Sequence, residues 1–128
     1  MTVKELIENV TGFEFESMTF MGNVRSLALE KKDGKMTVCA KAGMYPGEIT
    51  RNETIGEEEW NGFFNALFGK CGVMDYPEEF AGNMLIDGEH WSIDIRFRNQ
   101  EPKHSEGNGY YPKNWDELMA VLSTAEKG

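Results

Sequence analysis

The chain has 128 residues, 22 acidic and 13 basic, with a net charge of −9 and 40% hydrophobic side chains. That length suits one domain able to bury a core without disulfide or metal staples, and the apolar fraction excludes a disordered chain. The acidic balance argues against nucleic acid, whose phosphates require clustered Lys and Arg, and favours a basic protein partner or a cationic ligand.

Three helices are marked by their caps. Thr2 and Glu5 have the spacing of a capping box, Val3, Leu6, Ile7 and Val10 share one face, and Gly12 can end the helix, which predicts a helix over residues 3–11. Strands follow. Phe13 and Phe15 alternate with glutamates, then the apolar parity moves to Met18 and Phe20, which predicts a bulge near Glu16–Ser17. Residues 24–31 and 36–42 flank Asp33-Gly34, a strong two-residue hairpin signal. A turn there pairs Leu29 with Val38 and Leu27 with Ala40 and puts all four on one face. The Tyr45-Pro46-Gly47 turn leads to a short strand over 48–53.

The second helix is predicted over 56–70. Thr54 and Glu57 have cap spacing, Glu57-Glu58-Glu59 sits at the positive end of the dipole, and Trp60, Phe63, Phe64, Leu67, Phe68 and Cys71 form an unbroken apolar stripe. A looser stretch, 72–83, follows. Asp87-Gly88 turns a short strand over 84–86 into the clearest strand of the chain, where Trp91, Ile93, Ile95 and Phe97 alternate with Ser92, Asp94, Arg96 and Arg98. A short strand near 103–106 comes next. The last helix, over 115–124, has Asn114 and Glu117 at cap spacing and Trp115, Leu118, Met119 and Leu122 on its apolar face. The order α-β-β-β-β-α-β-β-β-α predicts a single α+β domain over 1–128, with a mostly antiparallel sheet of about five to seven strands and three helices.

No membrane-span-length apolar run occurs, and Glu5 and Glu8 interrupt the N-terminal segment where a signal peptide would be apolar. Eight methionines and two widely spaced cysteines, Cys39 and Cys71, fit a reducing compartment, so the expectation is a cytoplasmic protein without a disulfide. Cys39 reads as a small residue covered by a helix, and Cys71 as core.

Catalytic signatures are missing: no Gly-x-Ser-x-Gly elbow, phosphate loop, Cys-x-x-Cys or His-Glu-x-x-His. Zinc needs three or four convergent ligands, and no spacing here supplies them, so neither metal nor cofactor is expected. Asp75-Tyr76-Pro77-Glu78-Glu79 sets three carboxylates beside an aromatic. With Glu57 and Glu58 as a flank, Asp75, Tyr76, Glu78 and Glu79 are the candidate surface for a basic protein, with tyrosine as anchor. That predicts a non-catalytic interaction module resembling immunity proteins. The alternative is a small-molecule-binding domain or enzyme, its site lying where the Gly107–Tyr110 segment meets the strand row His90, Asp94 and Arg96, with Asn108 and Tyr110 contributing. An edge strand leaves homodimerisation open.

Trp60-x-Gly62-Phe63, then Asp87-Gly88-x-x-Trp91-Ser92-Ile93-x-Ile95, then Gly107 with Tyr111-Pro112-x-Asn114-Trp115-x-Glu117-Leu118 resembles a group of small bacterial proteins with no established activity. In that group an Asp-Gly turn leads to a Trp-bearing strand, and a Gly-x-Asn-x-Tyr/Phe-Pro segment opens the last helix. The resemblance spans residues 58–122 and implies a fold unit rather than a reaction. Here Gly109 stands where the group has Asn, and Asn108 sits one position earlier. The residues alone predict that Tyr111 and Trp115 pack over the Trp91 strand and fix the last helix across the sheet.

Overall fold

The computed structural model describes residues 1–80 and 89–128. In chain order these form α1 (Val3–Asn9), β1 (Val10–Met18), β2 (Asn23–Lys32), β3 (Lys35–Met44), β4 (Glu48–Ile55) and α2 (Glu57–Asn65). A π-helical turn (Ala66–Lys70) and a 3-10 turn (Val73–Asp75) come next, then β5 (Glu79–Phe80), β6 (His90–Phe97), β7 (Lys103–Asn108) and α3 (Trp115–Lys127). The strands make one sheet in the order β4-β3-β2-β1-β6-β7-β5. Neighbours are antiparallel except β5 and β7, which run parallel over two residues. The α+β architecture is the expected one. The predicted 84–86 strand and Asp87–Gly88 turn lie outside the described residues, and β5 replaces part of the predicted loose stretch.

Local chemistry explains most elements. Thr2 and Glu5 do form a capping box, with the Glu5 backbone N–H donating to Thr2 Oγ1 at 3.1 Å. Asp33 and Gly34 both take positive φ, as a primed hairpin turn requires, and the register pairs Leu29 with Val38 and Leu27 with Ala40 as predicted.

Several expectations fail for identifiable reasons. The first helix stops at Asn9, because β-branched Val10 is already extended and pairs with Phe97. No bulge occurs at Glu16–Ser17. The β1–β2 register runs unbroken from Gly12 to Met18, Ser17 takes the inward place, and Met18 points outward. The irregularity of β1 lies instead between Val10 and Gly12 opposite β6. Thr54 caps nothing, since β4 extends to Ile55 and Gly56 is the cap residue of α2. The α-helical part of the second helix ends at Asn65, and the Cys71 N–H reaches back five residues to the Ala66 carbonyl at 2.9 Å. Asn114 does not cap α3 with its side chain, which serves elsewhere, and α3 continues to Lys127.

The helices cover one face of the sheet, forming two layers around one core. Phe13, Phe15, Leu27, Leu29, Trp91, Ile93 and Ile95 are buried there beneath Trp60, Phe64, Leu67, Leu118 and Leu122. Each such side chain contributes roughly 1.5–3 kcal/mol of transfer free energy, so this layer outweighs any surface ion pair. Edge contacts such as Phe13 on Phe63 (5.2 Å) fix its geometry. Trp115 lies 5.1 Å from Trp91 and 4.7 Å from Tyr111, which is the predicted lock of α3 over β6. Arg51 ties three elements together: it donates to Glu59 (2.6 and 3.1 Å), Glu53 (2.8 Å) and the Ala125 carbonyl (2.6 Å). No helix among the described residues is long and apolar enough to cross a membrane.

Candidate functional site

No helix among the described residues covers the other face of the sheet. Strand alternation puts the polar partners of each apolar residue on it. Register places these residues in rows across the strands: Cys39, Ala28, Glu14, Asp94 and His104 in one, and Lys41, Ser26, Glu16, Ser92 and Glu106 in the next. Cys39 is therefore half-buried on this uncovered face, not beneath a helix, because it alternates with the inward-facing Val38 and Ala40.

The predicted strand row His90, Asp94 and Arg96 does share this face, but its charges are already engaged. Arg96 lies 3.4 Å from Glu14. Asp94 takes a 2.6 Å bond from His104 Nδ1, and Glu106 a 2.8 Å bond from His104 Nε2. With a carboxylate at each nitrogen, only the doubly protonated ring can donate to both, so the charged form is favoured. Its pKa is raised above the ordinary 6.5, chiefly by the Glu106 bond and then by Asp94. His90 is exposed, with Nε2 3.9 Å from Glu106. Asn108 pairs with His90 in the sheet and is exposed. Tyr110 offers its carbonyl to buried Trp91 Nε1 at 2.8 Å, on the helix side. The Tyr110 carbonyl thus lies on the helix side while Asn108 stands beside His90 on the other face, so the structure brings together only part of the predicted pocket.

The acidic candidates divide as well. Asp75, Glu78 and Glu79 are exposed, as are Glu57 and Glu58. Glu57 and Glu58 open α2, whereas Asp75 follows the far end of the π-helical turn; about fourteen helical residues, roughly 20 Å of rise, separate them. Tyr76 is not a surface anchor. It is buried against Phe80 (5.6 Å), and its hydroxyl donates to Asn114 Oδ1 at 2.7 Å. Burial pushes its phenol up to about 12. Asn114 Nδ2 donates in turn to the Cys71 carbonyl at 2.7 Å, which is why this side chain is absent from the α3 cap. The rest of the loop is fastened to β7 through Ser105 Oγ on the Pro77 carbonyl (2.6 Å), the Glu106 N–H on the Glu78 carbonyl (2.9 Å), and Lys103 Nζ on the Tyr76 carbonyl.

What the sequence reading missed lies at one end of the open face. Met18, Phe20, Met21, Met44, Tyr45 and Ile49 are all exposed, Phe20 by 74% and Tyr45 by 71%. They lie in or beside two turns, 19–22 and 44–47, with Met18 ending β1 and Ile49 on β4, and the turns are joined by a 2.9 Å bond from the Tyr45 N–H to the Gly22 carbonyl. The second turn contains a cis Tyr45–Pro46 peptide and closes through the Gly47 N–H on the Met44 carbonyl at 2.7 Å. It lies down on the sheet: a Cβ on Gly47 would stand 2.8 Å from Val24 Cγ2, and Gly47 has φ +88°, so glycine is required twice over.

Between the turns and the strands runs a groove of about 540 Å³. The row of Lys41, Ser26, Glu16 and Ser92 forms its floor, and Met18, Phe20, Val24, Tyr45 and His90 line it as well. Arg25 also borders it, but Glu126 holds that guanidinium at 2.7 and 2.6 Å and raises its pKa. Among the described residues no cation lies within ion-pair distance of Glu16. No group of three or more His, Cys, Asp or Glu that could hold a metal ion occurs among the described residues. Comparison with protein-family models, with curated proteins and with solved structures finds no match to this chain.

Proposed function

We propose that the protein is a non-catalytic interaction module that engages a basic protein partner, in the manner of an immunity protein in the cytoplasm. The observation that carries this reading is the apolar patch on the two joined turns. Turn tips ordinarily hold Gly, Asn, Asp or Pro, and a large apolar side chain there adds nothing to the core while lowering solubility. Exposed apolar side chains clustered within a polar surround mark interaction sites, and Met and aromatic side chains are enriched in interface centres. The net charge of −9 selects a basic partner by steering and complementarity. The patch takes over the anchoring role first assigned to Tyr76, while Asp75, Glu78, Glu79, Glu57 and Glu58 supply the surrounding negative field.

The test is partner retention in cells of the source organism, with wild type compared against Phe20→Ser/Tyr45→Ser and Asp75→Lys/Glu79→Lys. The patch variant should lose the partner while keeping its far-UV spectrum and melting temperature. The charge-reversed variant should bind more slowly, with a weaker salt dependence. Undiminished retention by the patch variant refutes the reading.

A further inference from the structure

Resting on that reading, we propose that the groove beside the patch receives an arginine side chain of the basic partner, with Glu16 as its counter-charge. The other carboxylates facing outward nearby are committed: Glu14 to Arg96, and Asp94 and Glu106 to His104. Among the described residues Glu16 has no ion-pair partner and lies between Ser26 on β2 and Ser92 on β6.

That row matches a guanidinium. Two parallel N–H groups fit the Glu16 carboxylate, and the remaining donors of the planar fork fit the flanking serine hydroxyls. An ammonium would satisfy the charge without the fork. The walls suit the rest of the side chain, since an arginine stem lies along apolar surface such as Met18 and Val24, and the aromatic Tyr45 and Phe20 line the same groove. Lys41 lies two strands from Glu16, roughly 10 Å between backbones in the sheet, and forms no ion pair with it. Continuity of the groove with the exposed patch lets one partner surface supply both the apolar contact and the arginine.

The probe is N-acetyl-arginine N-methylamide, with its citrulline counterpart as the uncharged near-isostere, titrated into the full ¹⁵N-labelled chain and followed by amide shifts. The arginine compound should perturb Glu16, Val24, Ser26, Tyr45 and Ser92 together and bind roughly fivefold or more tightly than the citrulline compound, a ratio within reach of a well-formed charge pair. Glu16→Gln, an exposed isosteric change, should erase that difference, as should about 0.5 M NaCl. Equal binding of the two compounds, shifts scattered over many surface carboxylates, or an unchanged ratio in Glu16→Gln would overturn the inference. So would free arginine binding far more tightly than the capped compound, which would assign the groove to a free amino acid. The two proposals fail separately. If Glu16→Gln keeps the partner at full strength and Phe20→Ser/Tyr45→Ser loses it, the interaction reading stands and the arginine inference falls. If the capped arginine binds in the groove and the patch variant keeps its partner, the reverse holds.

Discussion

Removing the Tyr76–Asn114–Cys71 relay tests whether the 75–79 loop is structure or docking surface. Tyr76→Phe deletes one donor from a part-buried hydrogen bond of 2.7 Å while the ring stays packed on Phe80. A bond of this kind is worth about 1 kcal/mol net. Asn114→Ala does more, because it strands the Tyr76 hydroxyl and also the Cys71 carbonyl that Nδ2 serves at 2.7 Å. Each stranded group costs about 1–3 kcal/mol when fully buried, and both are only part-buried, so about 2–3 kcal/mol is expected for the pair. In the double variant the hydroxyl is already gone, so its loss should fall short of the summed single losses by about 1 kcal/mol. For a domain of this size, about 4 °C per kcal/mol puts the Asn114→Ala melting shift near 8–12 °C. Urea unfolding followed by tryptophan fluorescence, with m-values compared across the cycle, reads these differences. A surface anchor behaves oppositely. If Tyr76→Phe and Asn114→Ala both stay within about 0.3 kcal/mol of wild type and Tyr76→Phe weakens partner binding, the buried-relay reasoning is refuted.

Three further outcomes follow from the same geometry. His104 has a raised pKa, so the stability it adds is fully present below the unfolded value near 6.5 and is lost as pH climbs through the higher folded value; wild type and His104→Gln should therefore differ most near pH 6 and converge by pH 9, and a constant gap across that range would dismiss the imidazolium bridge. Arg51→Met should destabilise by about 1–2 kcal/mol at unchanged m-value, because it leaves the Ala125 carbonyl and the partly exposed Glu59, held at low pKa mainly by this guanidinium, without their donor; a loss under about 0.5 kcal/mol would mean that β4 and α3 dock without it. Gly107→Ala should lower stability by about 3 kcal/mol or prevent folding, since its Cβ would lie 2.3 Å from the Tyr110 carbonyl oxygen and 2.6 Å from Trp91 Nε1; a melting temperature within a degree or two of wild type would show that the 107–110 turn gives way freely.

Elements whose signal is local were legible in the sequence. The Thr2–Glu5 box, the Asp33–Gly34 turn with its register, and the period-two alternation of β6 each depend on residues a few positions apart. The long-range Trp91–Trp115–Tyr111 stack was also read, because alternation and helix periodicity fix which way each ring points. Failures arose where a side chain had two partners to choose from. Asn114 sits at a cap position, yet the Tyr76 phenol and the Cys71 carbonyl compete for its amide, and satisfying two part-buried groups outweighs capping one exposed N–H. Tyr76 lies among carboxylates in sequence, which reads as surface, but the chain turns it inward onto Phe80.

The groove escaped for a more instructive reason. Met18 and Phe20 break the inward parity set by Phe13 and Phe15, and a bulge is the expectation that would return them to the core. The alternative was to keep the register and accept large apolar side chains in solvent. The register is the stiffer constraint. A one-residue slip reverses every later side chain of the strand, and β1 is paired on both sides through Met18. Exposing two or three side chains perturbs nothing else. Apolar residues that violate an otherwise consistent pattern are therefore better taken at face value, as a surface kept for something other than folding. Phe20-Met21 inside a four-residue turn was the available signal, because no turn geometry asks for either residue. The same logic links the patch to the groove. The register that holds Met18 outward also lines up Ser26, Glu16 and Ser92, so a change that shifted β1 by one residue would turn Met18 inward and dismantle the groove floor together.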